Sequence, residues 1–421
     1  MSLDSDQRTD QHNYEFPLWV RIATLLLISL GVFGSILPGI RTNIGFLFPF
    51  RLFLPVYITV LAGAIVLYSQ GKIRFPRLFV ALSGLVCLGM FSFLYAVQNG
   101  TGSGVLQPIV LLTKFILLIS IVITLNTRRW VYRGWILLVG LVLLAFIIAL
   151  FEYSTGWHFA GSQLQQLPNY PPYSSWVTTW YTNVNDFAFF LQMATIPALV
   201  MGLNPTTTSK KRISFLGVWT ISAYLVVHLG ARAVILAYPI VIATTLGLIY
   251  GNIIRQTIRQ IPIRVGKILI PLFGLVLTTV FVLVPNPTNP GSSIWIRWQL
   301  QKAAVLGGDV WGHGWGSSPT VISQTSVSTG GILSPHSWFG ALLTDTGLLG
   351  LALFLVFYGG LVVGLARIAN LRDPVPVMSI TSLVALPIAG LGPSNVLFLP
   401  MFWIVIGLSI STLQVSSWHI S

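Results

Sequence analysis

His336 closes a long polar stretch, directly after Pro335, and stands at the mouth of an apolar run. The segment reads SPHSWFGALLTDTGLLGLALFLVFYGG, from Ser334 to Gly360. An imidazole is the side chain best suited to take a proton near neutral pH. A structural histidine at such a junction would instead cap or pack the helix. Asp345 follows nine residues on, which on a helix is roughly 13 Å deeper. That is too far for the acid to orient the imidazole. Asp345 is therefore expected to pin neighbouring helices or to pair with a buried base.

Arg232 lies in VVHLGARAVILAY, at a tight turn between two apolar runs. Held there, close to a bilayer surface, its guanidinium either snorkels to a lipid phosphate or offers a rigid fork of donors to a substrate phosphate. Arg297 and Lys302 fall on IWIRWQLQKAAVLGG, which reads as a short amphipathic surface helix. DVWGHGWGSS follows as a Gly- and Trp-rich turn, whose His313 has no spaced partner for zinc. The stretch SPTVISQTSVSTGGILSP reads as a mobile lid. Asn185 and Asp186 open another apolar run, NVNDFAFFLQMATIPALV. There the acid either caps the helix or pairs with one of the arginines.

These residues must be positioned by apolar elements. Of 421 residues, 54% are hydrophobic and only 8% charged, against roughly 25% charged in an ordinary soluble domain. The apolar residues come in successive long runs, the pattern of an all-α, polytopic integral membrane protein. The short alternating segments of a barrel are missing. The runs predict about twelve transmembrane helices, near 18–38, 52–69, 78–97, 105–125, 134–152, 185–203, 214–229, 232–250, 268–285, 338–362, 378–391 and 395–413. One transmembrane domain, 18–413, then lies between a tail at 1–17 and a tail at 414–421. The first run lacks a cleavage site and reads as a retained helix.

The net charge of +14 would suggest nucleic acid in a soluble protein. Here 17 of the 23 basic residues sit in short segments on one side of the predicted spans, so the charge reports topology and no nucleic-acid partner is expected. The bias of cytoplasmic loops toward Lys and Arg places both termini inside, and the loops at 153–184 and 286–337 outside. Six basic residues escape the rule: Arg41, Arg51, Lys114, Arg232, Arg297 and Lys302. Four acids lie in or beside the apolar zone: Glu152, Asp186, Asp309 and Asp345. An ionisable group so placed is a functional hypothesis by default. The aromatic-rich loop 153–184 is either an interfacial belt or a surface for stacking sugars, with His158 structural. A single cysteine, Cys87, allows no intrachain disulfide. A phosphate-binding GxxxxGK[ST] loop is also lacking, so ATP is not expected as a direct substrate.

In order and spacing, the segment from about 180 to 363 resembles the O-antigen ligase and polymerase-like family of bacterial envelope proteins. HSWFGALLTDTGLLG is similar to that family's His-Asn pair, acid nine residues on and Gly-Leu-Leu-Gly, with Ser337 in the place of Asn and Asp345 in the place of Glu. Arg297, with the glycines from Gly314 to Gly316, resembles its Arg-containing surface helix and Gly-rich turn. Arg232 falls on its Ser-Arg-Gly hairpin, with Ala231 for Ser. NDFA, and the tryptophan near the histidine, look like the teichuronic-acid biosynthesis branch. The resemblance implies a bacterial inner-membrane enzyme that works on the extracytoplasmic face. It would transfer glycan from an undecaprenyl-diphosphate-linked donor to a sugar hydroxyl on a glycan or glycolipid acceptor. His336 would be the base, Arg232 and Arg297 would hold the diphosphate, and Asp186, Asp345, Asn185 and Lys302 would support them. Attack opposite the diphosphate would invert the anomeric carbon. With no DxD-like or paired-carboxylate site, neither metal nor other cofactor is expected. The rival class is a membrane transporter of a small solute or anion, which needs polar groups midway through spans. Lys114, in the fourth run, is the main such residue.

Overall fold

The computed structural model describes residues 16–33, 40–42, 45–47, 49–68, 78–98, 106–158, 176–181, 183–260, 293–368, 373–393 and 395–417. The helices, in chain order, are α1 (Leu18–Val32), α2 (Pro49–Tyr68), α3 (Leu78–Gln98), α4 (Leu106–Thr124), α5 (Arg128–Thr155), α6 (Val184–Leu203), α7 (Ser209–His228) and α8 (Arg232–Gln260). After these come α9 (Ser293–Gly307), α10 (Ser318–Gln324), α11 (Trp338–Ile368), α12 (Pro374–Ala389) and α13 (Pro400–Ser417), with a 3₁₀ turn at Val396–Phe398. Among the described residues, the one departure from an all-α reading is a small antiparallel ribbon, β1 (Ile40–Thr42) and β2 (Gly45–Leu47), in register Ile40 to Leu47 and Thr42 to Gly45.

Helix α6 is the hub. It is apolar on every side, and 94% of its apolar window is buried, as expected of a helix enclosed by others. It packs against α5, α7, α8 and α12. Its start is fixed locally. Asn183 Oδ1 accepts from Asp186 N at 2.9 Å, and Asn183 Nδ2 donates to Asp186 Oδ2 at 2.8 Å. This reciprocal cap satisfies amide groups that the first turn leaves open, and the acid meets the positive end of the helix dipole. At the opposite end of the bundle, Arg128 at the start of α5 grips Asp373 with two bonds, of 2.6 and 2.9 Å. Asp373 also caps α12, accepting from Val375 N at 3.0 Å.

Hydroxyls join helices that have little else to choose between them. Thr124 of α4 donates to Thr24 of α1 at 2.8 Å, and Thr24 contacts Tyr57 of α2 at 2.8 Å. Ser379 of α12 donates to Thr412 of α13 at 2.7 Å. Each such bond contributes about 0.6 kcal/mol in lipid-like surroundings, and fixes which faces meet.

The expectation of about twelve transmembrane helices is corrected. Eleven of the twelve runs contain or form helix, and the run 268–285 lies outside the described residues. Among the described residues, however, only five helices are long and apolar enough to cross a membrane. These are Gln107–Thr124, Arg128–Thr155, Val184–Leu203, Arg232–Gly251 and Trp338–Arg367. Of the further apolar helices, Leu18–Val32 has 15 residues and Pro374–Ala389 has 16. At 1.5 Å per residue these two reach about 23–24 Å, short of a hydrocarbon core of about 30 Å. Helix α7 has 20 residues, but its first turn holds Lys210, Lys211 and Arg212. The chain therefore has multi-pass membrane character, built on five long apolar helices and shorter ones packed among them. Apolarity sufficed to predict helices; it did not fix how many are long enough to span.

Helix α11 is broken. Gly347, at φ 70° and ψ −174°, interrupts it nine residues after its start. The groups freed by the break are taken up by the turn that follows α9. His313 N donates to Thr344 O at 3.0 Å and Gly314 N to Asp345 O at 2.8 Å. In the other direction, Leu348 N donates to Asp309 O at 2.8 Å and Leu349 N to Val310 O at 3.2 Å. The two backbones approach so closely that a Cβ on Gly347 would lie 2.4 Å from Val310 O, and one on Gly312 2.4 Å from Asp345 O. Glycine is required at both positions, and both also sit at positive φ.

Candidate functional site

Three residues far apart in sequence meet where α8, α9, α11 and α12 come together. Arg232 is the first residue of α8, just after Gly230 at φ 65°, and its side chain is exposed. Arg297 projects from the first turn and a half of α9. Its Nη1 donates to Leu391 O at 2.6 Å and its Nη2 to Gly392 O at 3.4 Å, the turn that ends α12. His336 lies two residues before α11 in the left-handed region, at φ 47°. Its ring hydrogen-bonds the backbone of the same Gly392. Gly392 in turn packs against Val234 of α8: a Cβ there would meet Val234 Cγ2 at 3.0 Å.

The electrostatics follow from burial and like charge. Partial burial lowers the proton affinity of Arg297, and the nearby Arg232 guanidinium lowers it further. Burial and then the Arg297 charge depress His336 to a pKa of about 4, against an ordinary 6.5, with the Gly392 bond opposing them in part. The imidazole is thus neutral near pH 7 and able to accept a proton. Nδ1 is shielded from solvent and has no hydrogen-bond partner among the described residues. No carboxylate pairs with Arg232 or Arg297 among the described residues. Two uncompensated guanidinium groups beside a neutral base form a place where an anion would lower the local energy.

The two arginines are not equivalent. Arg232 is exposed and its fork is open. Arg297 spends two donors on main-chain carbonyls and lies close enough to bias the histidine. It both holds the α12 turn and adds to burial in lowering the proton affinity of His336.

One residue overlooked in the sequence, Gln301, fixes the histidine turn together with Ser337 and Trp338. Gln301, one turn after Arg297 on the same face of α9, donates from Nε2 to Pro335 O at 2.6 Å. Its Oε1 accepts from Ser337 Oγ at 2.9 Å. Ser337 Oγ also caps α11, accepting from Gly340 N at 2.9 Å. Trp338 Nε1 donates to Pro387 O at 3.1 Å, a carbonyl near the proline of α12. The i, i+4 spacing of Arg297 and Gln301 was visible in the sequence. A neutral amide, however, gives no sign of its partners.

The other expected site residues lie elsewhere. Asp345 is buried and does not orient His336. Its carboxylate accepts from Gly316 N at 2.9 Å, Ser318 N at 2.9 Å, Ser318 Oγ at 2.6 Å and Ser317 Oγ at 3.2 Å. It pins the Gly-rich turn and the first residue of the neighbouring helix α10, and it pairs with no base among the described residues. Asp186 belongs to the cap of α6, and the capping residue is Asn183 rather than Asn185, which is half-buried in the first turn. Lys302 is exposed on α9. Five residues past Arg297, it faces roughly 140° away around the helix. Lys114, the residue on which a transport path would draw, is buried with its ammonium 4.8 Å from the Phe50 ring centroid.

The stretch expected as a lid contains α10, which packs on α9 and α11. Of the aromatic loop 153–184, residues 153–158, 176–181, 183 and 184 are described. Residues 176–181 turn inward, with Val177 to Tyr181 buried and Trp180 against Phe33 at 4.8 Å. Glu152 at the end of α5 holds them, its Oε2 accepting from Thr178 N at 3.0 Å and Thr179 N at 2.8 Å. His158 Nδ1 lies 3.5 Å from Glu152 Oε1, with its proton affinity lowered by burial. Trp180 and Tyr181 are therefore core, whereas Tyr153 and Trp157 at the start of the same loop are exposed. Among the described residues no group of three or more His, Cys, Asp or Glu side chains could hold a metal ion. Compared with models of protein families and with curated proteins, the chain matches none.

Proposed function

We propose that this chain is a membrane glycosyltransferase. It moves a glycan from an undecaprenyl-diphosphate-linked donor to a sugar hydroxyl of a glycan or glycolipid acceptor. The observation that carries the reading is the meeting of Arg232, Arg297 and His336 around Gly392, from segments 65 and 39 residues apart. The donor's lipid tail lies in the bilayer and its diphosphate at the surface, beside Arg232. As the bond from the anomeric carbon to the diphosphate oxygen breaks, negative charge grows on the leaving group and the arginines stabilise it. His336 takes the proton of the attacking hydroxyl. Attack from the face opposite the diphosphate inverts the anomeric carbon, and no step calls on a metal. Ser337 fits the same picture. Ser and Asn are both strong helix caps, so Ser337 serves where the resembling family carries Asn.

The bias of basic residues toward one set of loops supports reading this site as extracytoplasmic, in a bacterial inner membrane with both termini inside. Two measurements test the reading. Purified protein in nanodiscs, given undecaprenyl-diphosphate glycan and acceptor, should form the new glycosidic bond with inverted configuration and release undecaprenyl diphosphate, with or without EDTA. A cysteine placed at exposed Ser326, in a Cys87→Ser background, should react with an impermeant maleimide while the inner membrane is intact. Failure of transfer with every envelope glycan donor tried, or labelling only after the membrane is broken, sinks the proposal.

A further inference from the structure

We infer that Gln301 is a positioning residue for His336, an inference that rests on the reading of His336 as the base. The backbone at His336 is in the left-handed region, which costs a non-glycine residue about 1 kcal/mol or more. Such a conformation persists only where its surroundings over-determine it. Among the surroundings here, one side chain touches both neighbours of the histidine. The Gln301 amide spans the residue before the histidine and the residue after it, donating to Pro335 O and accepting from Ser337 Oγ. A carboxylate could accept from Ser337 but could not donate to Pro335 O. A lysine could donate but not accept. A primary amide of this length does both from one helix position.

The fit leaves no slack. A Cβ on Gly340 would sit 3.1 Å from Gln301 Oε1, 3.1 Å from Pro335 Cβ and 3.3 Å from Ala304 Cβ. α9 and the start of α11 are therefore in close contact along the Gln301 face. Arg297, one turn earlier on that face, reaches the Gly392 carbonyl to which the His336 ring also bonds. One helix thus sets the backbone of the histidine through Gln301 and its electrostatic surroundings through Arg297. Its other residues do neither: Trp298 and Lys302 are exposed.

The test compares wild type with Gln301→Leu and Gln301→Glu, in nanodiscs. It uses undecaprenyl-diphosphate glycan as donor and reads the six histidines by NMR, with His336 assigned from the His336→Gln spectrum. Gln301→Leu should lower kcat by about 100-fold, the scale of a misplacement near 1 Å, with donor KM within about 2-fold. Gln301→Glu should also fail, since it loses the donor. In both variants the His336 ring signals and their titration midpoint should move, while the other five histidines stay in place. A residue that merely packs would instead lower folded yield and leave kcat per folded molecule and the His336 signals unchanged. That result overturns the inference. If His336 signals move while wild type transfers no glycan, Gln301 still positions the histidine and it is the glycosyltransferase reading that fails. If wild type transfers glycan and Gln301→Leu keeps wild-type kcat and spectra, the enzyme stands and the role of Gln301 falls.

Discussion

Two polar clusters meet α11, and they are built on opposite plans. At its start, Arg232, Arg297 and His336 gather positive charge with no carboxylate among the described residues to neutralise it, and Nδ1 of the histidine has no partner. At its break, Asp345 receives four hydrogen bonds, and the turn 309–314 completes both helix ends. The second cluster has spent its polarity on folding. The first has polarity left over, which is what an incoming substrate would use. An acid buried in an apolar helix is thus not by itself a functional residue. What separates the two clusters is whether the surrounding backbone has already satisfied the charge.

The largest test of this contrast is His336→Gln. It keeps a hydrogen-bonding side chain but cannot take a proton, so single-turnover transfer should fall by about 10²- to 10⁴-fold with folded yield retained. A variant turning over near the wild-type rate would reduce His336 to substrate positioning. Next comes Asp345→Ala, which leaves two buried amides and two hydroxyls short of an acceptor. A loss of about 3 kcal/mol in stability is expected, read as a lower unfolding midpoint and lower yield in detergent. Transfer per folded molecule should stay within about 3-fold. Full stability with lost turnover would place Asp345 in the chemistry and erase the contrast.

The smallest effect is expected from pH. His336 titrates near 4 in the folded protein and near 6.5 when unfolded, so between those values the unfolded chain binds more protons. Its contribution to stability is therefore constant above about pH 6.5 and turns unfavourable as pH falls toward 4. Arg297→Gln removes the neighbouring cation and should raise the folded midpoint. The acid limb of kcat/KM should then move to higher pH, measured across pH 4–8 on the free enzyme. An unmoved limb would mean that burial alone depresses the histidine.

Much of this was open to reading from residue types. A basic side chain that ignores the loop-charge pattern stands out without any structure, which is how Arg232 and Arg297 could be chosen. His336 declares itself by its place between polar and apolar chain. Gln301 does not, because a neutral amide in an amphipathic helix carries no signal until its partners at 335 and 337 are known. The role of Asp345 was also hidden. Its ligands lie 27–29 residues earlier, and only the break at Gly347 brings that turn into the helix.

The sequence by itself determined that apolar runs become helices, because lipid or a buried core leaves backbone groups no partner but each other. It did not mark the caps at Asn183 and Asp373, nor the break at Gly347, because the run 338–362 reads as one continuous apolar stretch. Tertiary structure decided how many helices reach membrane length: five among the described residues, with shorter ones sheltered beside them. It also decided which charges are spent and which remain. A side chain's charge is a property of the residue, but its surroundings are set by distant chain: Arg297 donates to a carbonyl 95 residues away and meets no carboxylate among the described residues.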